Sequence, residues 1–205
     1  SVTIGLSNYW NLTLSQNIGI RAMTWEGDTV TKHHRDEGSH TDFLNAKGGL
    51  LGDFRIMARY LVLNDGQGPG KRWFIGTGLI VPSRNTLTSD PFFLNKEDKS
   101  EHRHFSISEG VYKTVLEMQL FKKQMTTPVF MGGTLSAVLP LNENEYGFKA
   151  SNSYDFSLVG FTKLIPLIKG SVGANLVAVH TTEAYWNEKK APNSRATVIT
   201  AGFGF

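Results

Sequence analysis

The chain has no cysteine, so disulfides, thiolate metal centres and cysteine nucleophiles are excluded. It has no apolar run approaching the roughly eighteen residues that a transmembrane helix needs, which excludes a helical membrane protein. Charge is sparse at 19% of residues, and the basic residues do not cluster. Their only adjacent pairs are Lys71-Arg72, Lys122-Lys123 and Lys189-Lys190. A net charge of +3 spread in this way lacks the concentrated footprint of a nucleic-acid binder, so nucleic acid is not an expected partner. No charged segment followed by an apolar run opens the chain; it starts on strand-like sequence at Ser1.

What is present is alternation. From Asn11 to Thr24, Leu12, Leu14, Ile18, Ile20 and Ala22 fall on one side of an extended chain, while Thr13, Ser15, Asn17, Gly19 and Arg21 fall on the other. The pattern recurs in Asp53–Leu63, Val111–Phe121 and Ser153–Phe161. Trp73–Val81, Pro128–Leu139, Ser171–Ala184, Ala196–Phe205 and the short Ser1–Ser7 complete nine predicted strands. An apolar stripe can hide in such alternation while mean hydropathy stays slightly negative, at -0.21.

Connections around Asn8–Trp10, Asn64–Lys71, Lys122–Thr127 and Ile165–Gly170 are short. Those at Trp25–Gly48, Ser83–Phe105, Leu141–Lys149 and Asn187–Arg195 are longer or more polar, and the two kinds alternate. Transmembrane barrels have short periplasmic turns and long external loops. The fold expected for residues 1–205 is therefore one all-β domain, an antiparallel up-and-down transmembrane β-barrel of a bacterial outer membrane. Its last strand runs inward and ends at Phe205. Bacterial barrels have even strand numbers, so one strand is expected before Ser1, giving ten; a further pair within a long loop would give twelve. A soluble ligand-binding barrel alternates in the same way, with its apolar face inward. Aromatic residues near strand ends favour the membrane: Trp10, Trp25, Tyr60, Trp73, Tyr112, Tyr154, Tyr185 and Trp186 fall where interfacial girdles sit.

The stretch SVTIGLSNYWNLTLSQNIGIRAMTW (Ser1–Trp25), together with GGLLGDFRIMARYLVL (Gly48–Leu63) and FIGTGLIVPS (Phe74–Ser83), resembles the outer-membrane barrel family labelled "MetA-pathway of phenol degradation" or transporter. Ala58-Arg59-Tyr60 after Gly52-Asp53 is the strongest element. The resemblance implies a barrel that passes small hydrophobic or aromatic compounds.

Charges facing lipid at mid-membrane cost about 2–4 kcal/mol for Arg or Lys. Arg21, Asp53, Arg55, Arg59, Lys113, Glu117 and Asp155 are accordingly expected to face the lumen, either as a selective lining or as a salt-bridged plug. His33, His34 and His40 share one long loop, and His102 and His104 share the next. Neutral imidazoles in this number can bind copper, zinc or nickel, while ordinary polar loop residues are the competing reading. No nucleophile motif accompanies the strand histidine His180, and Gly76 and Gly78 lie within a strand rather than before a helix, so neither an enzyme nor a cofactor is expected. Expected partners are outer-membrane lipid and lipopolysaccharide, and an envelope or surface protein reached through loops 25–48 and 83–105. The two functions in contention are a channel for small solutes and a docking barrel whose loops bind a partner.

Overall fold

The computed structural model describes residues 1–19, 50–66, 68–92, 94 and 106–205. Its described residues contain no helix. They form a nine-stranded antiparallel sheet from β1 (Val2–Gly5), β2 (Trp10–Ile18), β3 (Leu51–Asn64), β4 (Gly70–Val81), β5 (Lys113–Lys123), β6 (Phe130–Pro140), β8 (Ser153–Phe161), β9 (Gly173–Thr181) and β12 (Ala196–Gly204). Each strand pairs with its neighbours in chain order, so the sheet is an up-and-down meander. The strand predicted over Ser153–Phe161 has those bounds, and the nine predicted segments correspond to these nine strands.

The edges of the sheet are β1 and β12, which are not hydrogen-bonded to each other among the described residues. Because antiparallel neighbours alternate in direction and the strands number nine, these two edges run the same way. The four turns at 6–9, 65–69, 124–129 and 162–172 open on one end of the sheet, and the other connections open on the opposite end. In the C-terminal half the lengths converge: the turn at 162–172 is nearly as long as the connection at 141–152. An isolated bridge between Ile165 and Gly170 narrows that turn to a tight tip.

The register separates two faces. On one, Trp10, Tyr60, Ile75, Met118, Leu135 and Phe156 line up across six strands. On the other, Asn11, Arg59, Gly76, Glu117, Ser136 and Asp155 line up. The first face is apolar and exposed: Leu120 and Leu135 are each 51% accessible and Leu158 is 45%. The second face holds Met57 at 1% and Val115 at 0%. A water-soluble sheet buries its apolar side, and this one has the opposite arrangement.

Three two-residue strands, β7 (Phe148–Lys149), β10 (Tyr185–Trp186) and β11 (Lys189–Lys190), form a second sheet in order β11-β10-β7 at the long-connection end. Asn187 and Glu188 both have positive φ, 44° and 66°, as the tight hairpin joining β10 to β11 requires. Gly147, at φ 82°, lies against this turn, where an added Cβ would sit 1.9 Å from the Asn187 Oδ1. Ala184, Trp186 and Ala191 form a small core beneath, packed by Leu87, Leu94, Tyr146 and Phe148. Trp186 is 4% exposed, which corrects the expectation that it belongs to an interfacial girdle. Its ring packs against Phe148 at 4.9 Å, tilted by 43°, inside this cap, because the long connections fold over it. Tyr185 belongs to the same cap, and Trp25 lies outside the described residues.

Candidate functional site

The polar face of β3 and β5 carries a connected side-chain network. These strands are not neighbours; β4 runs between them. Arg59 and Glu117 both stand opposite Gly76, whose missing side chain leaves the space for them to meet. An added Cβ at Gly76 would lie 3.1 Å from Arg59 Cγ and 3.5 Å from Glu117 Cβ. The guanidinium grips the carboxylate twice, Nε to Oε1 and Nη2 to Oε2, the latter at 3.3 Å. Bidentate forks of this kind are the strong form of an Arg–carboxylate contact. Arg59 Nη1 also donates to Thr13 Oγ1 at 2.9 Å, and Gln119 Nε2 donates to Glu117 Oε1 at 2.9 Å. Thr13 in turn shares a hydrogen bond with Thr3 at 3.0 Å, so the network reaches from β1 to β5. The two charged side chains are only 18% and 8% exposed.

The other expected lumen residues do not join this centre. Asp155 shares its row but accepts from Ser136 and Ser153 hydroxyls, each at 3.4 Å. Lys113 pairs with Glu109, four residues earlier. Asp53 accepts from the Ser83 backbone N–H at 3.1 Å, anchoring the start of the β4–β5 connection. Arg55 stands between Ser15 and Ile80 on the same face. Six of the seven residues therefore share one face, and two of them form its central pair. Arg21 lies outside the described residues, as do His33, His34, His40, His102 and His104, with loop 25–48 and part of loop 83–105. Among the described residues no group of three or more His, Asp or Glu is arranged to hold a metal.

Next to Gly76, Gly78 makes room for Met57: an added Cβ there would come within 2.2 Å of the Met57 Sδ. Met57 and Val115 so fill the row beside the ion pair with apolar volume. Towards the short-turn end the same face changes character. Phe74, Phe121, Phe130 and Phe161, one from each of β4, β5, β6 and β8, form a continuous ladder with ring spacings of 6.5, 5.8 and 6.1 Å. Phe121 lies over Gly132, where an added Cβ would meet the ring at 2.2 Å. Sequence reading missed this ladder, although Phe121 shares parity with Glu117 and Gln119, and Phe161 shares it with Asp155 and Ser157.

His180 is on the opposite, apolar face. It stacks on Tyr154 at 6.5 Å and its Nδ1 lies 2.8 Å from Thr197 Oγ1, an interstrand contact without a nucleophile array. Comparison with protein-family models, curated proteins and solved structures returned no match.

Proposed function

We propose that this chain is a transmembrane β-barrel of a bacterial outer membrane that passes small solutes. The observation that carries the reading is the inverted sheet: leucine, methionine and phenylalanine exposed on one face, and a hydrogen-bonded, largely buried ion pair on the other. Such a sheet is stable where lipid covers its apolar side. In water the same face would be one large apolar patch. Near the short-turn end the half-buried Tyr60 packs against the exposed Trp10 at 5.0 Å, tilted, and stacks on the exposed Tyr9 at 6.1 Å, which suits a girdle at the membrane boundary.

The two parallel edges bear on closure. Joining β1 to β12 through antiparallel pairing takes an odd number of further strands, and one such strand makes a ten-stranded barrel with no exposed edge. Within it, solutes would pass the Arg59–Glu117 network and leave over the phenylalanine ladder. An apolar, ring-lined exit suits small hydrophobic or aromatic compounds, in keeping with the resemblance to the phenol-degradation barrel family. Insertion into liposomes followed by single-channel recording tests the proposal. A chain that inserts but neither conducts nor takes up solute would sink the channel reading, and one that does not insert would sink the barrel.

A second reading draws on the cap. Its own three-stranded sheet and core make a rigid platform at the long-connection end, suited to docking an envelope or surface protein. Insertion without conductance would favour it.

A further inference from the structure

The exposed face is not uniform. Gly133 and Gly160 both belong to it, on adjacent strands; Leu158 leans over Gly133, and the open space over Gly160 leaves a groove. Its volume is about 510 Å³, and Met118, Leu120, Met131, Leu135, Phe156 and Leu158 wall it. One end is charged. Lys71 and Lys122 stand directly opposite each other in the β4–β5 register, both exposed and both lining the groove. Like charges directly opposite on one face of a sheet repel. Among the described residues, neither ammonium pairs with a carboxylate. Asp65, next to them, turns its Oδ2 to the backbone N–H of Lys71 at 2.8 Å. The surrounding end of the sheet adds Lys123, Lys163 and Lys169, so no local excess of acid offsets the pair.

An anion between the two ammonium groups converts their repulsion into attraction on both sides. The apolar groove running away from them specifies what the anion is attached to. From the lysine row to the Met118–Leu135–Phe156 row is two steps of two residues, about 13 Å, close to the roughly 15 Å hydrocarbon depth of one leaflet. We propose that this groove holds an acyl chain of an anionic glycerophospholipid, with its phosphodiester bridging Lys71 and Lys122. The proposal rests on the membrane-barrel reading and adds a lipid site to it. The lysines lie at the short-turn end, the periplasmic side in that reading, where the facing leaflet is glycerophospholipid.

The test is native mass spectrometry of the refolded chain released from micelles with phosphatidylglycerol, phosphatidylcholine or lipid A. Retention of one phosphatidylglycerol is expected, at least tenfold more than of phosphatidylcholine. Lys71→Gln with Lys122→Gln should remove that preference. Gly160→Leu should remove retention by filling the groove, since a Cβ at Gly160 meets only the Phe130 carbonyl oxygen, at 3.6 Å. Lys163→Gln with Lys169→Gln, which removes equal charge at the same end, should leave retention unchanged. Equal loss in both lysine pairs would reduce the effect to general surface charge and overturn the site. Preferred retention of lipid A, or undiminished retention in Gly160→Leu, would overturn it as well. Protease protection in liposomes separates the two claims. Variants that insert yet show no preference overturn the groove alone, whereas failure of the parent chain to insert overturns the barrel with it.

Discussion

Arg59 and Tyr60 are adjacent in β3 and end in opposite surroundings. Arg59 is folded into a network with Glu117, Thr13 and Gln119, and Tyr60 lies on the exposed face against Trp10. The same holds for Ser157 and Leu158 in β8. The strands thus carry two sides of opposite character, and side-chain parity assigns each residue to its side. The difference teaches that the polar face here is the more covered one and the apolar face the exposed one, the reverse of a sheet in a soluble sandwich.

The sharpest way to break this comparison is to exchange a single neighbour. Phe156→Arg should block folding into liposomes, because in the barrel reading an arginine facing lipid near mid-membrane costs about 2–4 kcal/mol. Ser157→Arg, one residue away, should insert normally. Equal behaviour in a folding-yield assay would erase the distinction between the faces.

The second contrast lies among glycines. A Cβ at Gly78 would come 2.3 Å from the Ile56 carbonyl oxygen as well as 2.2 Å from Met57 Sδ, and backbone cannot retreat as a flexible side chain can. Gly78→Val should destabilise by about 1–3 kcal/mol, the range for overpacking a filled site. Gly5→Ala, with nothing within 4 Å, should change the urea midpoint little.

Third comes the ion pair. Glu117→Leu leaves a largely buried guanidinium without its carboxylate and should cost about 1–3 kcal/mol. Adding Arg59→Met should recover part of that loss, since replacing both partners of a buried pair is often close to neutral. A double-mutant cycle on urea unfolding reads the coupling. In the channel reading the same pair of substitutions should raise conductance.

How much of this was legible from residues alone follows the same physics. Period-two alternation located four of the nine sheet strands outright, because a two-sided environment writes itself into neighbouring positions; the other five read as strand-like with a weaker period. β4 begins at Gly70, ahead of the predicted Trp73, because Lys71 and Arg72 continue the ladder against Lys122 and Phe121. Two charges after a glycine-rich turn read as loop until their partners are known. The two-residue strands of the cap are too short to show a period, which is why Trp186 was assigned to a girdle. The charged face was legible by parity, but its centre was not. Arg59 and Glu117 are 58 residues apart, and their meeting depends on Gly76 in the strand between them.

The smallest expected effect concerns the cap rather than the sheet. The Lys190 ammonium, with help from the Tyr185 hydroxyl at 2.9 Å, holds the Glu183 carboxyl below its ordinary range. A lowered carboxylate pKa contributes stability above the unfolded-state value, and that contribution is lost as pH falls through the folded-state value. Acidification should therefore loosen the cap slightly, read as a change in Trp186 fluorescence against a Trp186→Phe reference. Glu183→Gln at neutral pH should match the acid state of the parent.

Because the chain has no native cysteine, single cysteines can be spin-labelled one at a time along β8 in a bilayer. Collision rates with dissolved oxygen, which concentrates in lipid, and with a water-soluble nickel chelate report which medium each label faces. The inverted sheet predicts oxygen maxima at Tyr154, Phe156 and Leu158, out of phase with Asp155 and Ser157. A flat profile along β8, or one with the two phases exchanged, would contradict it.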